Sequence, residues 1–170
     1  MTRIHKLNQE YGFQRAFERS NGNPIEYSGR IIQLFDLFPV KYGERLQIVV
    51  ESVNSDYPQV IQLEGRIVLD GERHEKSCIY VDSNKLPFET EVTSRKRNGY
   101  LWVCNGWTKS TSHRKVDWSE GGAAMIVEEL SNGRRYNCND FQLNDDFNDL
   151  IFRIERVKGD QEFSKKHRTQ

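Results

Sequence analysis

Few residues in this chain could serve as a covalent or redox handle. Three cysteines, Cys78, Cys104 and Cys138, are spread over 170 residues, and four histidines lie at His5, His74, His113 and His167. No CxxC pair, no Cys/His spacing and no His pair at helical spacing is present, which argues against zinc. An odd cysteine count allows one disulfide with a thiol left over. Cys104 sits in an apolar run and reads as a free buried thiol. No Ser, Cys or His arrangement carries the local signature of a nucleophile elbow or a protease. Glycoside hydrolysis needs two carboxyl groups held apart across a sugar bond, and carboxylates adjacent on one loop do not supply that. The chain reads as a non-enzyme.

A surplus of one charge sign is absent too. Lys plus Arg and Asp plus Glu are both 25, for a formal net charge of zero. Nucleic acid and anionic membranes reward a basic surplus, so neither is expected as the main partner. No stretch approaches the ~20 apolar residues of a membrane helix. Residues Met1 to Asn8 lack the apolar core of a secretory signal. Cytoplasmic synthesis is expected, with a removed leader or non-classical export as the routes outward. Hydrophobic residues make up 36% of the chain, and mean hydropathy is −0.79. One domain with an economical core fits 170 residues, and a thin two-layer architecture fits better than a thick α/β fold.

What is present is a succession of short β-type runs. Arg30 to Phe38, Arg45 to Val53 and Val60 to Leu69 are β-branched or aromatic with rough alternation. Further strands are expected at Cys78 to Val81, Phe88 to Thr93, Tyr100 to Cys104, Ala123 to Leu130, Arg134 to Cys138 and Leu150 to Val157. Asp70-Gly71 and Asn132-Gly133 are strong hairpin signals. Pro39, Tyr42-Gly43-Glu44 and Asn54 to Pro58 have turn compositions. The fold class read from this is all-β: an antiparallel, jelly-roll-like sandwich of about nine strands. Residues 1–24 read as a polar N-terminal arm, 25–158 as the β-sandwich domain, and 159–170 as a charged flexible tail.

The densest chemistry lies just ahead of the last strand. Seven of the eleven residues from Asn139 to Asp149 are Asp or Asn. Such a cluster repels itself unless water or a cation lies among the oxygens. A hard cation such as calcium takes six to eight oxygen ligands, which makes Asp140, Asn144, Asp145, Asp146, Asn148 and Asp149 the candidate metal ligands. In extended chain Asn144, Asp146 and Asn148 share one side, and Asp145 and Asp149 join them only if the loop curls. An EF-hand is excluded. Asn144, Asp146, Asn148 and Glu155 match its first, third, fifth and twelfth places, but Asp149 occupies the required glycine position and a strand follows. Asp and Asn also populate ordinary turns by bonding their own backbone, so an acidic surface turn accounts for the same composition.

The segment Asn144-Asp145-Asp146-Phe147-Asn148-Asp149-Leu150-Ile151 resembles the signature loop of the calcium-dependent fucose/mannose-binding bacterial lectins, in which an acid precedes Asp-Asn-Asp-Tyr-Asn-Asp and an apolar strand. Asp140 falls on the leading acid, Asn144 and Asp146 on the first two aspartates of that run, Phe147 on the aromatic, and Asn148 and Asp149 on the closing pair. Bacterial adhesin-type calcium modules are similar, with Glu128-Glu129-Leu130 standing for their acidic segment. The resemblance implies calcium as cofactor and a glycan whose hydroxyls complete the coordination. It also implies a contribution from an earlier loop, for which Asn54-Ser55-Asp56 is the candidate. Asn144 stands where the family has Asp, which lowers the charge of the site and the number of ions it would hold. The family ends just after its final strand and lends its C-terminal carboxylate to a neighbouring subunit; this chain continues to Gln170, so that dimer is not expected.

Aromatic and basic clusters complete the candidates. Trp107 and Trp118 lie beside polar loops and are candidates for stacking on sugar faces, whereas Tyr100 and Trp102 share one strand parity and read as core. Arg95-Lys96-Arg97 and Arg134-Arg135 read as solvated hairpin tips. The function expected is a calcium-binding, lectin-like module. The alternative is a non-enzymatic protein-interaction or assembly module whose acidic loop is structural or a docking patch; an oligomer is compatible with both.

Overall fold

The computed structural model describes residues 1–110, 112 and 115–159. His113, His167 and the expected tail beyond Gly159 lie outside the described residues. Among them, twelve strands and one short helix follow in order: β1 (Arg3–Ile4), α1 (Gln14–Arg19), β2 (Ile25–Tyr27), β3 (Arg30–Ile32), β4 (Asp36–Val40), β5 (Arg45–Val53), β6 (Gln59–Leu69), β7 (Glu72–Tyr80), β8 (Phe88–Ser94), β9 (Gly99–Trp107), β10 (Ala124–Leu130), β11 (Gly133–Asn139) and β12 (Leu150–Arg156). The all-β expectation holds. No helix of the described residues is long and apolar enough to cross a membrane.

Strands β1-β2-β3 form a small sheet, and the other nine form a nearly closed, barrel-like sheet that is not clearly the jelly-roll-like sandwich expected. Its strands run β10-β11-β12-β5-β8-β6-β9-β4, with β7 on the remaining edge of β6. The corner is made within β6. Gln59–Glu64 pair with β9 and Ile67–Leu69 with β8, and a register shift lies between Glu64 and Ile67. Gly65, at φ +137°, occupies that bulge, where a Cβ would stand 2.6 Å from Leu101 Cδ2. Bulges of this kind bend a strand and let one sheet turn onto another face. At the far seam Gln33 and Met125 exchange two backbone bonds of 2.9 and 2.7 Å, so the chain just after β3, on its way into β4, is bridged to β10. Periodicity in sequence specifies strands; whether their sheet splits or closes depends on bulges and long-range bridges that alternation does not encode.

Strand alternation places the core where period two requires. Leu150, Phe152 and Ile154 of β12 are buried, while Ile151, Arg153 and Glu155 are only partly covered. They join Leu46, Ile48, Val50, Ile61, Leu63, Leu101 and Tyr136 in the barrel interior. A second cluster contains Phe13, Phe17, Ile25, Tyr27, Ile32, Trp107 and Phe147. Residues 1–24 are therefore not a purely polar arm: Phe13, Ala16 and Phe17 of that segment are buried. Pro39, expected to end a strand, lies inside β4 opposite Tyr100. Because β4 ends the strand order, the missing N–H removes no bond on a second side.

Candidate functional site

Two loops leave the same end of the barrel. Leu150 of β12 is opposite Val53 of β5, so the chain after Val53 and the chain before Leu150 emerge side by side. The backbone N–H of Asn54 extends this ladder by donating to the Asp149 carbonyl at 3.0 Å. Between them lies a concavity of ≈ 340 Å³ walled by Val53, Asn54, Ser55, Asp56, Gln142, Asn144, Asp146 and Asp149. Residues about ninety positions apart in sequence thus share one wall, and among the described residues lining it none is basic.

The acidic loop is curled by its own side chains. Asn139 is the pin: its Nδ2 donates to the Asn144 carbonyl (2.8 Å) and its Oδ1 accepts from the Phe147 amide (2.7 Å). Phe147 takes a positive φ of 53°, a conformation costly for a bulky residue, and its buried ring stacks on Phe13 at 6.0 Å. Burying the ring in the second cluster offsets that strain and turns the flanking residues outward. Asp140 closes the base of the loop. It is fully buried; its carboxylate accepts from Ser55 Oγ, from Gln59 Nε2 at 2.9 Å and from the Gln142 amide at 3.0 Å. Its own amide donates to Asp149 Oδ2 at 2.8 Å.

The six candidate ligands therefore divide. Asn144, Asp146 and Asp149 line the concavity with Asn54, Ser55 and Asp56. Asp140 bonds to Ser55 and Gln59 beneath them. Asp145 engages Tyr27, whose hydroxyl donates to its Oδ2 at 2.7 Å, and Asn148 Oδ1 accepts from Asn54 Nδ2 at 3.2 Å. The two tryptophans are not on this wall: Trp107 is buried in the second cluster, and Trp118 packs edge-on against Trp102 at 5.3 Å. Tyr100, read as core from its parity with Trp102, is 53% exposed. Glu128 and Glu129 pair with Arg135 and Arg134. Gln142 was missed by the sequence reading, and its only signal was its place two residues after Asp140. The three cysteines are free.

Among the described residues, no three His, Cys, Asp or Glu side chains are gathered closely enough to chelate an ion by themselves. A hard cation here would need amide oxygens and water beside the carboxylates. The buried Asn144 Oδ1 has no hydrogen-bond partner. An orphaned acceptor carries a desolvation penalty, which a cation or its bound water would relieve. The donor set of Asn54, Ser55, Asp56, Asn144, Asp146 and Asp149 is oxygen throughout, and in that respect it fits calcium.

Asp149 is pushed up to about 7, by burial first and then by the nearby Asp140 and Asp146 carboxylates. This lies above the ordinary aspartate value of about 3.9, so the folded state favours the protonated form. In metal-free protein its contribution to stability is full below about pH 4 and is lost as pH rises toward 7. The expected result in chelator is a melting temperature higher at pH 5.5 than at pH 8, with a smaller difference in Asp149→Asn. Equal pH slopes in the two proteins, compared by calorimetry, would refute the assignment.

Gly122 supports the loop from below. A Cβ there would lie 1.9 Å from the Gln142 carbonyl oxygen and 3.2 Å from that of Asp140. Both are backbone atoms that cannot rotate away. Gly122→Ala is expected to displace residues 140–142 and to destabilise the protein by about 1–3 kcal/mol, the range for overpacking. Urea unfolding with an unchanged midpoint would show that the loop yields freely.

No family model matches the chain, and no curated protein matches it by sequence. Among solved structures, the Ralstonia solanacearum high-affinity mannose-binding lectin is similar at 15% identity and a TM-score of 0.43, covering 72% of this chain and 96% of that one.

Proposed function

We propose that the concavity between residues 54–56 and 142–149 binds calcium and, through it, a carbohydrate, making the protein a binding module and not an enzyme. One observation carries the proposal: Asp56, Asp146 and Asp149 line one concavity with Asn54, Ser55 and Asn144, and its described lining contains no cationic side chain. Concentrated negative charge without a counter-charge is costly in a partly desolvated setting. A divalent cation would remove that cost, and vicinal sugar hydroxyls are suitable oxygen donors for its remaining positions. Polar walls would orient such a ligand by hydrogen bonds from Asn54, Ser55 and Gln142. The likeness of Asn144–Ile151 to the loop of the calcium-dependent lectins supports the same chemistry.

A second reading has its own observation. Asp140 is fully hydrogen-bonded by Ser55, Gln59 and the Gln142 amide, so the base of the loop is held without an ion. On that reading the acidic tip is a structural turn or a docking patch in an interaction module. Calorimetric titration with calcium, then a glycan array in calcium and in chelator, separates the two. Absence of calcium binding at millimolar concentration removes the metal proposal. Calcium binding with no calcium-dependent glycan signal leaves the metal and removes the sugar.

A further inference from the structure

Zero net charge conceals a segregation of charge along the barrel. The acidic concavity adjoins the start of β6 at Gln59. At the other end of that strand the bulge at Gly65 opens two adjoining clefts of ≈ 340 and ≈ 590 Å³. Their walls carry Arg66, Arg73, His74, Arg95, Lys96 and Arg97, with Glu75 as the only carboxylate among the described lining residues. Arg66 lies seven residues beyond Gln59 along β6, about 23 Å at ~3.3 Å per residue.

The cations are built into the corner of the sheet. The Arg66 carbonyl accepts from the Arg95 amide at 2.7 Å, which fixes the bulge against the end of β8. The Arg95 guanidinium lies 5.5 Å from the centre of the Tyr42 ring and donates to its hydroxyl at 3.3 Å. Lys96 Nζ donates to the Tyr100 carbonyl at 3.1 Å, leaving its other two N–H groups for a ligand. Glu75 does not neutralise the group. Its 3.5 Å contact to Arg66 joins side chains that are 72% and 80% exposed, and such pairs are screened and weak. Among the described residues no ion pair involves Arg73 or Arg97.

We infer that this cleft binds a sulfated polysaccharide chain, its arginines forking onto successive sulfate groups. Guanidinium groups match the oxygen pairs of a tetrahedral oxyanion, and cations distributed along a cleft suit a chain carrying repeated anions. Single-stranded nucleic acid binds through aromatic platforms as well as through charge. Here the one aromatic side chain of the clefts, Tyr42, is engaged by Arg95, so contacts to anionic groups dominate. The site is independent of calcium at the opposite end.

The test uses a fluorescent heparin-derived octasaccharide, a single-stranded oligonucleotide of equal charge and anionic phospholipid vesicles, each titrated in chelator. Octasaccharide binding is expected to weaken roughly tenfold or more between 50 and 200 mM salt, as neutralisation of several anions requires. The triple variant Arg73→Ala, Arg95→Ala, Arg97→Ala is expected to lose about tenfold at 50 mM and to show a shallower salt slope. These side chains are exposed, so circular dichroism should be unchanged. A control with equal charge removal, Arg3→Ala, Arg15→Ala, Arg19→Ala, should bind nearly as the parent does. Equal losses in both triple variants, no octasaccharide binding at 50 mM, or tighter binding of the oligonucleotide or the vesicles would each overturn the inference.

Discussion

Asp36→Ala is expected to destabilise the protein by about 3–5 kcal/mol, the range for breaking a buried ion pair, and to lower its melting temperature by roughly 10 °C. Asp36 opens β4 at the seam where the barrel nearly closes. Its carboxylate takes Arg134 Nη1 at 2.9 and 3.1 Å, the Tyr136 hydroxyl at 2.8 Å and Gln33 Nε2 at 3.2 Å. Arg134 also donates to the Leu37 carbonyl at 3.0 Å, so a single guanidinium ties β11 to two consecutive residues of β4. Tyr136 is fully buried and stacks on Phe152 at 4.6 Å. Burial and the Asp36 charge push its phenol well above the usual value, which keeps it a donor throughout the working range. Alanine at position 36 would strand the Tyr136 hydroxyl and leave the half-buried Arg134 with only Glu129 and the Leu37 carbonyl. Arg134→Met in that background should recover part of the loss, because removing both partners costs less than orphaning one. A loss below 1 kcal/mol in urea unfolding, or no recovery in the double variant, would show that the seam is held by the backbone bridge at Gln33 and Met125 instead.

Period-two patterning made most of the strands legible. Arg45–Val53 and the start of the last strand at Leu150 match the structure, and both hairpin signals lie at turns: Asp70 and Gly71 have positive φ of 50° and 79°, as a type I′ turn requires. Strand β7 was seen only from Cys78 because Glu72–Lys76 are charged or polar at every position. An edge strand bonded only to β6 needs little apolar alternation to form. The N-terminal segment reads as polar in composition; what buries Phe13 and Phe17 is a cluster in which the nearby β2 and β3 are joined by Trp107, Ala123, Ala124 and Phe147, far off in sequence. The site was legible by half. Oxygen donors clustered in one run are visible as composition, and Asn54 to Asp56 entered through a resemblance. The split within the run was hidden: nothing in its order assigns Asp140 to the base, Asp145 to Tyr27 and Asp146 to the concavity. Those assignments follow from Asn139 and Phe147 curling the loop.

Net charge is silent on local patches for a related reason. A sum over the chain reports the far field, whereas a ligand within a Debye length, about 8–10 Å at ordinary ionic strength, responds to the nearest few groups. Here β6 carries an acidic concavity at one end and a basic cleft at the other. Hairpin tips such as Arg95 to Arg97 are solvated faces when taken singly. Joined by Arg66 and Arg73 across a bulge they become a wall, and only the register of β6 with β7 and β8 reveals it.

Asp146→Ala is expected to leave the metal-free protein within about 0.5 kcal/mol of the parent while weakening calcium binding on the order of 100-fold. The two effects separate because Asp146 has almost no structural duty. It is exposed, and its hydrogen bond is a long one, from the Asn148 amide to Oδ1 at 3.4 Å, yet it lines the concavity. Loss of outer groups around a metal costs about 10–100-fold, and loss of a coordinating carboxylate should reach the upper end. A ligand present at about 100 times its dissociation constant stabilises the native state by about 2.7 kcal/mol, or roughly 5–10 °C for a chain of this size. At the same calcium concentration the variant should retain about 0.4 kcal/mol, close to the limit of detection in a melt. Asp145→Ala is the matched control: it removes the same charge one residue away, from a carboxylate bonded to Tyr27. It should melt lower in chelator for want of that bond, yet keep most of the calcium shift. If both variants lose the shift equally, diffuse negative potential and not coordination at the concavity attracts the ion. If the parent itself melts identically in calcium and in chelator, the loop serves the fold alone, and the carboxylates at its tip are solvated turn residues.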